Sequence, residues 1–549
     1  MPTICVSHRD LNSLVGKNLT LSQLQDEAVL YAKGELEEQD GDQLKIDIKD
    51  TNRPDLWSVE GLAREIKMRY KTSFPEYKTK KSGIEVRVDP KMKNIRPYTV
   101  CAVVSNLNIT TSVLEQMIQL QEKVSMTFGR NRKEIAMGAY DMSKIKSPIK
   151  FTSVAPSGIK FIPLEFSKEM TPKQILEQHP KGKEFGHLLK GLTAYPIFID
   201  AAGEVLSIPP IINSEYTGKV TTNTKKVFIE CSGFNLKFLQ TALNVLVTAL
   251  ADRGGVIETV DVVYGNKKIT TPNLTPKETS VNKENIIRLA GFSLTDVEIT
   301  KLLEKSGYKI KQMGEEIKLM YPAYRQDIMH EMDVIEDVVI SYGYNKIKPE
   351  EPLLVTKGRL HDREYFHNRI TDIMIGSGLQ EVMSYMLTNK EALFDKMNMP
   401  QANIVEISNP VSSNWSVFRT WMVPGLLDFL SQNMHREFPQ KIFELGDCIL
   451  IDPKKETKTS DVKKLAAIIS DSGAGYEDIT SILDFLLSNL GIEYKLDVTD
   501  HSSFIPGRTA KIIANGKEVG IVGEIHPQVL NNWKLEIPTS AFELDLSLL

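Results

Sequence analysis

The sequence is poor in the features that mark secreted, membrane-embedded or metal-stapled proteins. Its four cysteines, Cys5, Cys101, Cys231 and Cys448, stand alone, with no CxxC pair and no histidine at zinc spacing. Neither a disulfide framework nor a zinc site is expected. No apolar run approaches the ~20 residues that a bilayer requires. The longest is Leu243 to Leu250, and the start MPTICVSHRD lacks a charged-then-apolar signal, so a cytosolic chain with no membrane partner is expected. An excess of charge of one sign is also missing. The net charge is −4 over 549 residues, which argues against indiscriminate nucleic-acid binding and leaves any RNA contact to local patches. There is no GxxxxGK[ST] loop, no GxGxxG after a strand and no GxSxG elbow. If the chain uses ATP, a P-loop does not hold it.

What is present is an ordinary globular composition, 41% apolar and 25% charged. The length implies roughly three to five domains. The most informative stretch is YPAYRQDIMHEMDVIEDVVISYGYNK, from Tyr321 to Lys346, which places Asp327, Asp333, Glu336 and Asp337 within eleven residues. At helical spacing Asp333, Glu336 and Asp337 share one side, opposite Val334, Ile335, Val338, Val339 and Tyr342. Like charges at these spacings repel by about 0.2–0.5 kcal/mol per pair unless something neutralises them. The residues alone allow two readings. One is a solvated amphipathic face with Asp327 as an upstream cap or turn residue. The other is an all-oxygen site for a hard cation such as Mg²⁺.

An aspartate, a second six residues on, two adjacent acids nine and ten residues on, and then Tyr-Gly-Tyr resemble the magnesium-binding module of the phenylalanyl-tRNA synthetase β chain. The resemblance continues in NRPDLWSVEGLARE, LQEKVSMTFGRNRK, PPIINSE and VGIVGEIHP, in the same order along essentially the whole length. It implies a multidomain α/β and α+β chain, with an N-terminal α/β module (1–80) followed by a mixed α/β editing domain (81–268). A winged-helix-like magnesium module (270–347) and a catalytic-like class II synthetase domain (358–549), an antiparallel sheet with helices, complete it. By this resemblance Asp327, Asp333, Glu336 and Asp337 hold Mg²⁺. Phe198, Ser207, Glu230 and Ser232 line a pocket that hydrolyses tyrosine wrongly attached to the tRNA.

Several local readings accompany it. Asn52, Arg53, Pro54 and Asp55 form a turn that Arg53 and Asp55 brace, ahead of a helix carrying Val59, Leu62, Ala63 and Ile66. The lysine-rich residues 76–96 read as a solvated connector, with RNA backbone contact as the alternative. Arg130, Arg132 and Lys133 are candidates for phosphate contact or for a solvated helix end. Arg419 and Arg508 read as structural or interface residues, because the Gly-x-Gly-x-x-Arg signature of an ATP grip is missing. The chain is therefore expected to carry no catalytic residue for amino-acid activation.

The resemblance implies an ATP-dependent phenylalanine–tRNA ligase of the archaeal or eukaryotic type, in which two α and two β chains act on tRNA(Phe). The rival readings are a stand-alone Mg²⁺-dependent aminoacyl-tRNA hydrolase and a non-catalytic tRNA-binding scaffold.

Overall fold

Alternation sets the first sheet. In Gln43–Ile48 the residues Leu44, Ile46 and Ile48 are buried, as period two requires, and the strand lies antiparallel between Thr3–Ser7 and Gly34–Asp40. The computed structural model describes residues 2–549 and divides into two units, the first ending at Glu350 and the second spanning Glu351–Leu549. Beside the first sheet, Ser58 caps helix Val59–Tyr70 by accepting from the Gly61 amide at 3.2 Å. This helix rests flush on the turn before it. A Cβ added to Gly61 would stand 1.6 Å from the Asp55 carbonyl oxygen.

The second sheet has ten strands. Strand Thr79–Val88 lies within it, parallel to both Val256–Tyr264 and Ile149–Val154. This overturns the reading of residues 76–96 as a solvated connector. The exposed lysines at 80 and 81 mask a strand that buries Val86 and Val88 in alternation. The strand order runs from Ile212–Asn213 at one end to Ile135–Asp141 at the other, yet these ends meet. Tyr140 Oη lies 3.3 Å from Asn213 Oδ1, Asn213 Nδ2 donates to the Ala139 carbonyl at 3.4 Å, and Arg132 Nη1 donates to the Ile211 carbonyl at 3.1 Å. The sheet thus curls on itself, and side chains close its seam. Phe151, Phe198, Phe228 and Cys101 pack inside, while Val227, Ile229 and Cys231 face helix Leu236–Asp252 outside.

The last part of this unit joins the antiparallel strands Lys277–Asn282, Glu316–Tyr321 and Lys309–Gln312 to helices Lys283–Ala290, Asp296–Lys305 and Glu331–Tyr342. Thr295 and Glu298 form a capping box, and Gly307 at φ +77° follows the end of that helix.

The second unit is built on a seven-stranded sheet, antiparallel except where Gln380–Glu381 joins Gln440–Ile451. Helices Asp362–Gly376 and Tyr476–Leu490 cover one face, and Val423–Gln432 with Pro527–Asn532 the other. Its hairpin Phe504–Ala514 to Lys517–Ile525 turns at Asn515 and Gly516, both left-handed, as the dipeptide predicts. Among the described residues no helix is long and apolar enough to cross a membrane.

The Gly61 contact gives a first expectation. Gly61→Ala must push the helix off its turn against backbone rather than a flexible side chain, which is expected to cost about 1–3 kcal/mol. A denaturant midpoint equal to that of the native chain would contradict the contact.

Candidate functional site

The acid helix does not gather its carboxylates. His330 is its N-cap, and Asp333 Oδ2 turns back to accept from the amides of Met329 at 2.8 Å and His330 at 2.7 Å. Glu336 is half-exposed and pairs with Lys33 Nζ at 2.8 Å. Asp327 and Asp337 are buried and share one cation, Arg325. Arg325 Nε donates to Asp327 Oδ1 at 3.1 Å, and its Nη1 donates to Asp337 Oδ2 at 2.8 Å, where Tyr308 Oη also donates at 2.7 Å. Against burial, the guanidiniums of Arg325 and Arg53 hold the Asp327 carboxyl down at about 2. Among the described residues no group of three or more His, Cys, Asp and Glu side chains is placed to hold a metal ion. The four acids therefore do not fit a shared Mg²⁺ site, because protein cations and backbone amides already answer their charge.

The same lattice reaches the N-terminal turn. Arg53 grips Asp55 with two parallel hydrogen bonds of 3.0 and 2.8 Å, donates to Glu65 at 3.0 Å and stands 3.7 Å from Asp327. Arg69 donates to Glu65 at 2.6 Å and to the hydroxyls of Ser306 at 3.2 Å and Ser341. Burial opposes the charge on Glu65, but Arg69, Arg53 and Arg325 keep its carboxyl below the ordinary value. Arg53 and Asp55 brace the turn as expected, and they also join it to the acid segment.

The second cluster lies inside the curled sheet. Phe198 stacks on Phe151 with centroids 4.2 Å apart, and it pairs across the strands with Ser207. Glu230 and Ser232 follow Phe228 at period two on the inner face of Val227–Gly233. Phe198, Ser207, Glu230 and Ser232 are all at most 2% exposed. Sequence reasoning did not find the group that joins them. Tyr140 Oη lies 2.8 Å from Ser207 Oγ and 3.1 Å from Glu230 Oε1. Glu230 Oε2 is buried without a hydrogen-bond partner. Burial pushes this carboxyl up to about 7, against the pull of the Tyr140 hydroxyl, the Arg96 charge and the nearby Ser232 hydroxyl. Arg96, also unforeseen, donates to Ser232 Oγ at 3.1 Å and to the Ser232 carbonyl at 2.6 Å. Burial brings its guanidinium down to about 10.

Arg96 also borders a cavity of about 440 Å³ lined by Arg130, Lys133, His187 and Phe234. Its guanidinium lies 5.5 Å from the Phe234 ring centroid. Arg130, Asn131 and Arg132 form a left-handed turn, with φ of 49°, 53° and 65°. Arg132 itself is spent on the carbonyls of Pro210 and Ile211, so of the three basic candidates only Arg130 and Lys133 face this cavity.

In the second unit Arg419 is buried. It donates to Glu444 at 2.8 Å, to Ser384 at 2.9 Å and to the Asp447 carbonyl at 2.8 Å. Arg508 pairs with Glu524 at 2.6 Å on the surface. Beside Arg419 a cavity of about 580 Å³ opens, lined by Trp415, Trp421, Phe429 and Trp533 among others.

Comparison with known proteins places these features. Residues 105–246 match the family model described as the B3/4 domain, 279–344 the tRNA synthetase B5 domain, and 347–546 the phenylalanyl tRNA synthetase beta chain CLM domain. The whole chain is 52% identical to the phenylalanine–tRNA ligase beta subunit of Pyrococcus abyssi, covering 99% of it. It is 40% identical to that of Methanocaldococcus jannaschii, covering 100%. The crystal structure of an N-terminal fragment of the Pyrococcus horikoshii phenylalanyl-tRNA synthetase beta subunit aligns at a TM-score of 0.61 and 50% identity. It covers 62% of this chain and 100% of the fragment.

Three outcomes follow from the charges. Arg325→Met leaves Asp337 buried without its cation and Asp327 with only the more distant Arg53, and is expected to cost about 3–5 kcal/mol. Millimolar Mg²⁺ and EDTA are expected to give the same melting temperature for the native chain, and a melt raised by Mg²⁺ would restore the metal reading. Glu230 sets a pH dependence. Its folded carboxyl is raised from 4.5 to about 7, so the folded chain holds a proton that the unfolded chain releases. Stability is expected to fall as pH rises through that window, and Glu230→Gln to remove this slope in melts between pH 5 and 8. Parallel curves for the two proteins would contradict the raised carboxyl.

Proposed function

The chain belongs to the phenylalanine–tRNA ligase beta subunit family, and on that premise we propose that it attaches phenylalanine to tRNA(Phe) together with an α partner, two α and two β chains in all, while its inner chamber hydrolyses mischarged Tyr-tRNA(Phe). The observation that carries the ligase reading is full-length similarity to relatives of that name. The observation that favours proofreading is polar groups sealed in an apolar chamber, Ser207 and Glu230 beside Phe198 and Phe228. A site that binds phenylalanine rejects an added hydroxyl only modestly, about a hundredfold in comparable cases. A second chamber offering an acceptor and a hydroxyl to that phenol recovers the lost discrimination.

Hydrolysis adds the oxygen of a water to the ester carbonyl carbon, breaks the bond to the ribose oxygen and returns a proton to that oxygen. In this reading Phe198 forms the apolar wall, and Ser207, Glu230 and Ser232 supply the polar contacts. The tRNA end lies toward the basic cavity beside Arg96, where Arg130 and Lys133 suit phosphate and Phe234 offers a face for a base.

ATP is a substrate of the complex and is not held by this chain. In the second unit Arg419 is committed to Glu444, so the class II-like sheet acts as a catalytic-like domain that supports the α partner. Exposed Met383, Tyr385, Val411 and Trp415 on that unit give the partner an apolar surface. Mg²⁺ enters with the nucleotide and has no place on the acid helix. The modules are those bounded at 1–80, 81–268, 270–347 and 358–549, the third winged-helix-like, and the complex works in the cytoplasm.

Phenylalanine charging of tRNA by the purified chain, with and without its α partner, tests this reading. Charging is expected only with the partner, and charging of a different tRNA by that complex would refute it.

A further inference from the structure

We propose that Tyr140 is the chamber's own occupant: its phenol fills the seat that a tyrosyl substrate would take, and the site admits such a substrate only when Tyr140 leaves. The proposal rests on the reading of Phe198, Ser207, Glu230 and Ser232 as a proofreading pocket, and it adds the residue that controls access.

Three observations carry it. The first is chemical identity. The two groups expected to receive a tyrosine hydroxyl already receive one, with Tyr140 Oη 2.8 Å from Ser207 and 3.1 Å from Glu230. The ring is completely buried and lies 5.9 Å from Phe228 between centroids, so the apolar body of the phenol is also enclosed. With Phe198 and Ser232 at 0% and Ser207 and Glu230 at 2% exposure, a second ring has no room beside it.

The second observation is local adaptation. The ring lies back along its own strand over Gly138, and a Cβ built there would stand 2.1 Å from Tyr140 Oη. A residue other than glycine at 138 therefore expels the tyrosine from the seat.

The third is that the seat is incompletely used. Glu230 Oε1 serves Tyr140, while the buried Oε2 makes no hydrogen bond of ordinary geometry and has only the nearby Ser232 hydroxyl acting on the carboxyl, so the group keeps a contact that Tyr140 does not fill. A buried acceptor left unpaired is costly and marks a site shaped for more than its present occupant.

The strand that carries Tyr140 is also the one placed to move. Ile135–Asp141 is the terminal strand of the sheet, and among the described residues its ladder partner is Val227–Gly233 alone. On its other side the seam is closed by side-chain contacts of Tyr140, Asn213 and Arg132. Releasing Tyr140 breaks no ladder.

The test uses the assembled α/β complex and Tyr-tRNA(Phe). Tyr140→Ala is expected to hydrolyse it at least tenfold faster than the native complex. Gly138→Ala, which keeps the tyrosine but denies it the seat, is expected to move the rate in the same direction, and so covers the case in which Tyr140→Ala does not fold. L-tyrosine is expected to raise the melting temperature of either variant more than L-phenylalanine does, and to leave the native chain unmoved. A native complex that already hydrolyses as fast as both variants would overturn Tyr140 as occupant while leaving the proofreading reading intact. A melt raised by L-tyrosine without hydrolysis by any form would uphold the seat and end the proofreading reading. Neither effect in either variant would overturn both.

Discussion

Charge removed from water must be answered inside the protein, and in the first unit that requirement is met at one place. Arg53, Arg69 and Arg325 face Asp55, Glu65, Asp327 and Asp337 in a continuous buried lattice. Removing one partner from such a lattice is far more damaging than replacing the whole by apolar groups. It ties the N-terminal turn and helix to the acid helix, although about 270 residues separate Arg53 from Arg325 in sequence. Gln326 adds a hydrogen bond to the Asn52 carbonyl at 2.8 Å, which fixes the same register through the backbone. Elements that look like separate modules along the chain are thus held as one electrostatic body.

Much of the fold was legible because local chemistry and tertiary structure agree. Leu44, Ile46 and Ile48 alternate in strand Gln43–Ile48, Thr295 caps the helix that follows it, and Asn515-Gly516 turns a hairpin. The acid helix was legible as a helix but not as a charge centre. Its pattern signals that neutralisation is needed, yet whether a metal or an arginine supplies it depends on contacts the spacing does not encode. Arg325, two residues before Asp327, pairs with both Asp327 and Asp337. Strand Thr79–Val88 was hidden by its lysines, whose charge reads as solvent exposure although the backbone is paired on both sides.

The chamber divides in the same way. Phe198, Ser207, Glu230 and Ser232 were found through resemblance, and the folded chain brings Ser207 and Glu230 within reach of one hydroxyl. Tyr140 was missed because AMGAYD reads as an ordinary buried strand, where an aromatic is a normal core residue. The available signal was glycine two residues earlier, on the same face of the strand, which marks close approach of something bulky. Dryness gives the chamber its character. It strengthens each hydrogen bond formed there, and it also raises Glu230 to about 7, so this carboxyl is only partly ionised near neutrality.

The closed seam has a consequence for how this chain can evolve. Tyr140, Asn213 and Arg132 hold shut a sheet whose terminal strand is otherwise paired on one side. A substitution that opens the chamber also loosens the sheet, and one that tightens the sheet shuts the chamber. On the proofreading role proposed above, fidelity and durability are therefore not separate traits here. Selection for a more robust protein, as in a hot or crowded cell, would be felt at the same atoms as selection for accurate translation, and a lineage that relaxed one would drift in the other.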